Sequence, residues 1–311
     1  MSKLYQKRLY KDIEELHKNP IDNLYVWFDE SDITKMLIMI IGPENTPYEN
    51  GYFILSCTIT PEFPWKPPII KYLSTNGSIR FHPFLYENGK VCLSILGTWS
   101  GPQWTSAITL KSLFISIQSI LNNYPLLDEP GHQADSITVC NLYNNIIKYY
   151  TYDYSIIYQL QNKTYPQFYE IQKELFLKNY DNLTLFISTQ FPIKYNKIDI
   201  SNYIKQLLNN NISCKFTIEY SDNIIKKSIL KNIIFDINIS TYNYNLFKYI
   251  KQSNFYRKTT FKNTMNDFNT EYIKIKIIDF NINAPKPFSK MTCDFKYNNI
   301  IKKLNSLKLN L

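Results

Sequence analysis

Glycine is scarce in this chain, 7 among 311 residues, and proline is limited to 15. Collagen-like and low-complexity classes are thereby excluded. Cysteine occurs five times, as Cys57, Cys92, Cys140, Cys214 and Cys293. That odd number, without close pairs, fits neither a disulfide framework nor a zinc site, so no metal is expected and a reducing compartment is. Long apolar runs are missing too. The longest, Met36–Ile41, has six residues, where a bilayer requires about 20. No charged-then-apolar segment opens the sequence. These absences predict a soluble protein of the cytoplasm or nucleus, with no membrane as partner.

What is present is enough for a core: 44% apolar and 20% charged residues, too balanced for wholesale disorder. At about 100–200 residues per domain, the length predicts two folded units, or one with a long extension. Charge divides unevenly. Residues 1–150 hold 12 Lys and Arg against 14 Asp and Glu, whereas 151–311 hold 23 against 12. A near-neutral half is followed by a basic one, which sets an expected boundary near residue 150.

Leu9, Ile13 and Leu16 recur at helical spacing within Ser2–Lys18, and Pro20 stops that helix. Leu24–Phe28, Ile33–Ile41, Tyr52–Thr60 and Ile69–Leu73 are rich in β-branched and aromatic residues and predict four strands. Gly42-Pro43 and Asn50-Gly51 supply turns between the second and third. An irregular stretch, Ser74–Trp104, precedes an apolar helix over Leu110–Leu121. Helix, antiparallel meander, irregular segment, helix is an α+β order rather than βαβ alternation. Further on, Tyr143–Leu160, Tyr165–Lys178 and Phe295–Leu309 read as helices, and residues 212–221, 232–240 and 271–283 alternate like strands. Asn, Ile, Lys and Tyr are so heavily used in this half that each carries less information than usual.

Chemistry concentrates in the first half. Gly42-Pro43-Glu44-Asn45-Thr46-Pro47-Tyr48-Glu49-Asn50-Gly51-Tyr52-Phe53 lies between two strands, and Pro64-Trp65-Lys66-Pro67-Pro68 begins thirteen positions after Gly51. His82-Pro83-Phe84 follows. Eight positions after Phe84 stands the cysteine of Gly89-Lys90-Val91-Cys92-Leu93-Ser94-Ile95-Leu96. Gln103-Trp104-Thr105-Ser106-Ala107 leads into a helix, and Asp128-Glu129-Pro130-Gly131 closes the unit. Singly these are weak; in this order and spacing they are specific.

The ordered set resembles the ubiquitin-conjugating enzymes, and within them the Z-type branch, through Cys92–Pro102, Ser116-Ile117-Gln118-Ser119 and Asp128–Gly131. The likeness covers residues 1–135 strongly. It continues weakly through Tyr143-Asn144 and Phe168-Tyr169-Glu170, and in Pro287-Phe288 and Phe295–Leu304. It implies a UBC-like α+β core over 1–135 and an accessory extension over 136–311, of which 184–285 match nothing. It also implies a modifier, ubiquitin or a ubiquitin-like protein, carried as a thioester on Cys92 and passed to a lysine or a ligase cysteine. Cysteine suits this, because its thiolate is a good nucleophile and the thioester stays activated. An activating enzyme, a ligase and a protein substrate are the implied partners. No cofactor is implied, since ATP is consumed upstream by the activating enzyme.

By the same resemblance His82, Asn88, Asp128 and Glu129 support the active site, with His82 fixing a loop and the acidic pair orienting the incoming lysine. Trp65, Ser106 and Ala107 fall where ligases bind, and Lys7, Arg8 and Lys11 where the activating enzyme docks. Gly97–Pro102 is an insertion that shields the thioester or contacts the modifier. The family has His-Pro-Asn where this chain has His82-Pro83-Phe84. A phenyl ring offers no ordinary donor to an oxyanion, which leaves Asn88, Thr98, Ser100 or a backbone N–H to substitute. Phe84 is also the one feature that favours a catalytically weak or silent ubiquitin-binding scaffold with the same fold. His132 reads as a surface residue. In the basic half, Lys226, Lys227, Lys248, Lys251, Arg257 and Lys258 alternate with aromatics. No nucleic-acid motif accompanies them, so nucleic acid is not an expected partner.

Overall fold

A computed structural model describes residues 3–135, 137–189, 193–194, 213–220, 231–237, 273–283, 292–294 and 297–311. Helix α1 (Lys3–Lys18) buries Tyr5, Leu9, Ile13 and Leu16 along one face, as the spacing of its apolar residues requires. Strands β1 (Leu24–Phe28), β2 (Lys35–Ile41), β3 (Tyr52–Thr58) and β4 (Ile69–Tyr72) form an antiparallel meander in sequence order. The expected second strand loses its first two residues to a turn, in which the Asp32 carboxylate accepts the Thr34 N–H (3.1 Å) and hydroxyl (2.5 Å). Tyr52, Phe53, Ile54, Leu55 and Cys57 make β3 the buried centre of the sheet.

Helix α2 (Leu110–Gln118) starts at Thr109, whose hydroxyl accepts the Ser112 N–H at 3.1 Å. It buries Leu110, Leu113, Phe114 and Ile117. Its position is set from α1. Asp12, itself buried, accepts the Leu110 N–H (3.1 Å) and the Arg8 Nε–H (2.8 Å), while Arg8 also donates to the Ser106 (2.5 Å) and Ile108 (2.6 Å) carbonyls.

The first compact unit runs through Tyr180 and takes in Ser306–Leu311. The sequence division at residue 135 and the charge step near 150 both fall inside it. A continuous helical run explains why: α3 (Ile137–Tyr150), a π-helix over Thr151–Tyr158 and α4 (Gln159–Asn162), followed by α5 (Tyr169–Thr189). Ser155, Gln159 and Gln172 are buried polar residues, and they serve the start of β3. The Ser155 hydroxyl accepts the Tyr52 N–H (2.7 Å) and donates to its carbonyl (2.8 Å), Gln159 donates to the same carbonyl (2.9 Å), and the Tyr52 hydroxyl donates to the Gln172 carbonyl (2.8 Å). Gly51 admits this packing, since a Cβ there would lie 2.6 Å from Thr151 Cγ2. The Lys308 ammonium lies 3.8 Å from the Tyr180 ring centroid.

A second unit contains β5 (Ile193–Lys194), β6 (Ser213–Tyr220), β7 (Lys231–Ile237), β8 (Ile273–Asn283) and β9 (Thr292–Asp294) in one antiparallel sheet. Strands run in the order β5-β8-β6-β7, with β9 also on β8. Three of these strands were expected; β5 and β9 are too short to show a period. The closing helix α6 spans Tyr297–Asn310. The basic cluster from Lys226 to Lys258, and Pro287-Phe288, lie outside the described residues.

Candidate active site

Cys92 sits in a short ladder rather than in an open loop. Leu85 bridges Val91, the Tyr86 N–H donates to the Lys90 carbonyl (2.9 Å), and the Cys92 N–H donates to the Phe84 carbonyl (2.9 Å). Gly89 makes the turn, with φ +87°, and a Cβ there would lie 2.8 Å from the Tyr72 carbonyl oxygen. That close approach is used, because Tyr72 donates its N–H to the Gly89 carbonyl at 2.8 Å. Asn88 closes the turn by accepting the Lys90 N–H (3.0 Å). Alternation along the ladder buries Leu85 and Val91 on one side and puts Phe84, Tyr86, Lys90 and Cys92 on the other.

Cys92 does not lie at the surface: it is 2% exposed. Its thiol donates to the Thr98 carbonyl (3.4 Å). Thr98 is held in turn, its hydroxyl accepting the Leu93 N–H (2.9 Å) and donating to the Val91 carbonyl (2.8 Å). Trp99 then lies against Phe84, with ring centroids 6.3 Å apart, and Phe84 against His82 at 5.1 Å. The insertion is thus closed over the cysteine by a side chain that takes the place of a polar one.

His82 is fully buried. Its Nδ1 accepts the Phe84 N–H (3.0 Å), which leaves Nε2 to donate to Asp128 Oδ2 (3.2 Å). Burial lowers its pKa below the ordinary value, outweighing the opposing pull of Asp128. The neutral imidazole thus joins the Phe84 backbone to the Asp128 carboxylate. Asp128 also accepts from Asn122 Nδ2 (2.7 Å), so its carboxylate is committed to the loop. Glu129 pairs with Arg80 (3.5 Å). His132 pairs with Asp135 (2.6 Å).

Two residues at this site escaped sequence reasoning. Arg80 lies with its guanidinium 3.8 Å from the Tyr86 ring centroid and donates to the Pro83 carbonyl (2.6 Å). Tyr86 lies diagonal to Cys92 across the ladder. Burial raises the Tyr86 pKa, the Arg80 guanidinium opposes this and the neighbouring Cys92 adds to it, so the phenol is protonated at neutral pH. The available signal was Tyr86-Glu87-Asn88-Gly89, whose turn brings residues 86 and 92 onto one face.

The expected ligase residues come together. Trp104 Nε1 donates to the Pro64 carbonyl (2.7 Å), tying the loop of Trp65 to the segment of Ser106 and Ala107. Trp65 is 68% exposed. Of the basic helix residues, Lys7 and Lys11 are exposed while Arg8 turns inward to Asp12. Burial raises the thiol pKa of both Cys57 and Cys140, which keeps them inert. Among the described residues no group of three His, Cys, Asp or Glu could hold a metal, and no helix is long and apolar enough to cross a membrane.

A helix, a four-stranded meander and a cysteine in the loop beyond it define an α+β domain of one known class. Residues 8–149 match the family model described as ubiquitin-conjugating enzyme, and the likeness to that family rests on this domain. The likeness extends to the Z type. Ubiquitin-conjugating enzyme E2 Z of Xenopus tropicalis is 41% identical over 162 residues, 50% of either chain, and that of Homo sapiens is 40% identical over 50% of this chain and 45% of its own. The human dual E2 ubiquitin-conjugating enzyme/E3 ubiquitin-protein ligase BIRC6 is 35% identical over 171 residues, 50% of this chain and 3% of that protein. The chain spans about half the length of the E2 Z relatives.

Proposed function

We propose that this protein accepts ubiquitin or a ubiquitin-like modifier from an activating enzyme as a thioester on Cys92. It then transfers the modifier to a lysine or to a ligase cysteine. The Cys92 thiolate attacks the incoming thioester carbonyl, the activating enzyme's sulfur departs with its electron pair, and the new thioester is then cleaved by an amine or a second thiol. The protein needs no cofactor of its own; ATP is spent by the activating enzyme. The observation that carries this reading is Cys92 held in register opposite Phe84 within an intact Cys92–Pro102 motif. Exposed Trp65 and Ala107, with half-buried Ser106, offer a surface for a ligase, and Lys7 and Lys11 one for an acidic face of the activating enzyme. Glu129 and Asp128 act through Arg80 and His82 rather than on lysine directly.

The test is incubation with activating enzyme, ATP and tagged ubiquitin, read on a non-reducing gel. A thiol-sensitive adduct lost in Cys92→Ala, and replaced by a thiol-resistant ester in Cys92→Ser, is expected. A folded protein that forms no adduct, or a Cys92→Ala protein that charges fully, overturns the reading and leaves the silent scaffold.

A further inference from the structure

The ladder around Cys92 sets four side chains on one face. Phe84 is directly opposite the nucleophile, Lys90 is opposite Tyr86, and Tyr86 is diagonal to Cys92, a separation an aromatic side chain spans. Acyl transfer places negative charge on the thioester oxygen, and a donor aimed there lowers the barrier. The groups nearest Cys92 are poorly suited. Phe84 has no donor in its side chain, Thr98 presents a carbonyl oxygen, and the Cys92 and Leu93 N–H groups are engaged by Phe84 and Thr98. Asn88 accepts the Lys90 N–H through its side-chain oxygen, which commits that amide to the turn.

We propose that Tyr86 is a catalytic residue of this site, its phenolic O–H donating a hydrogen bond to the oxygen of the Cys92 thioester as charge develops there. Resting on the conjugating function proposed above, this adds a group to that site. The amine lone pair forms the C–N bond and the carbonyl π pair moves to oxygen, where Tyr86 meets it. The carbonyl then re-forms, the C–S bond breaks, its electron pair leaves on Cys92 Sγ, and the ammonium proton passes to solvent. Tyr86 begins and ends protonated. Arg80 positions it: its guanidinium is stacked on the ring and fixed by Glu129 and the Pro83 carbonyl, while the Tyr86 N–H to Lys90 bond fixes the backbone.

Full-length protein is charged with ubiquitin on Cys92, ATP is removed, and the adduct is chased with free lysine. Tyr86→Phe keeps the ring and its stack on Arg80, so its melting temperature should match the wild type. The expected result is a fall in the maximal discharge rate of tenfold to a hundredfold, on the order of one oxyanion donor, with the half-saturating lysine concentration unchanged. In a Phe84→Asn background, where an amide stands opposite Cys92, Tyr86→Phe should cost several-fold less. Discharge at the wild-type rate, or equal losses in both backgrounds, overturns the proposal. Wild-type protein that never charges overturns the conjugating function and this inference with it. Charging followed by undiminished Tyr86→Phe discharge overturns this inference alone.

Discussion

Cys92 Sγ lies 3.4 Å from the Thr98 carbonyl oxygen, so the nucleophile is capped by the segment that directly follows it. The cap is fastened at Thr98 by two hydrogen bonds and at Trp99 by its ring contact with Phe84. On the function proposed above, a modifier's C-terminus would reach the thiol only when this segment moves aside. Removing the Trp99 ring lowers the cost of that movement. Trp99→Ala should therefore raise the rate of Cys92 alkylation by iodoacetamide about three- to tenfold, equivalent to roughly 1 kcal/mol. An unchanged rate, with Cys57, Cys140, Cys214 and Cys293 replaced to isolate the signal, would show that Trp99 does not hold the cap.

The neutral His82 makes stability depend on pH. Its folded pKa lies below the ordinary 6.5, so below about pH 6.5 the unfolded chain binds a proton that the folded one resists. The contribution is complete above that pH and is lost as pH falls toward the folded pKa. Denaturant midpoints should decline between pH 7 and 5, with a shallower decline in His82→Gln, which keeps a donor for Asp128 and does not titrate. Parallel profiles for the two proteins would remove His82 as the source.

Strand β1 was legible to the residue, because Leu24–Phe28 is an uninterrupted strand-forming run between turn residues. Cys92 was legible as the proposed nucleophile for a different reason, an ordered motif. Its burial was not, since it depends on Thr98 and Trp99 folding back, and no local pattern states that. The helical run after residue 137 was half legible. Thr151, Ser155 and Gln159, four apart, look like a polar face turned to solvent, yet all three are buried against the segment 47–52. Arg8 misleads in the same way. Beside Lys7 and Lys11 it reads as one more surface cation, and it is Asp12 and the distant Ser106 and Ile108 carbonyls that turn it inward.

Arg8 and Asp12 give the next prediction. Arg8→Ala removes the guanidinium that pairs with a carboxylate 2% exposed and also satisfies two loop carbonyls. An uncompensated buried charge costs about 3–5 kcal/mol, so the variant should lose much of its stability in a urea melt. Lys7→Ala and Lys11→Ala, both exposed, should melt within about 0.5 kcal/mol of the wild type and instead charge more slowly with activating enzyme. Arg8→Ala at wild-type stability would contradict the inward role.

Trp65 separates partner binding from chemistry. It is 68% exposed in the loop that Trp104 ties to the segment of Ser106 and Ala107. Trp65→Ala should leave melting and charging near wild type. With a verified cognate ligase, discharge should slow by about tenfold or more, since an exposed tryptophan anchoring an interface is worth about 2 kcal/mol.

Phe84→Asn tests the residue opposite the nucleophile from two directions at once. The amide supplies a donor on the Cys92 face, which should raise single-turnover discharge to free lysine several-fold, roughly 1 kcal/mol and less than one well-placed oxyanion donor supplies. The same change removes the ring against which Trp99 and His82 both lie at a tilt. Iodoacetamide should then reach Cys92 faster, as in Trp99→Ala, and the melting temperature should fall by a few degrees. The two effects are separable because alkylation does not involve an oxyanion. Faster alkylation with unchanged discharge would mean that Phe84 matters for closure alone. Slower discharge from a stable protein would mean that the asparagine displaces Tyr86 from the oxygen it serves.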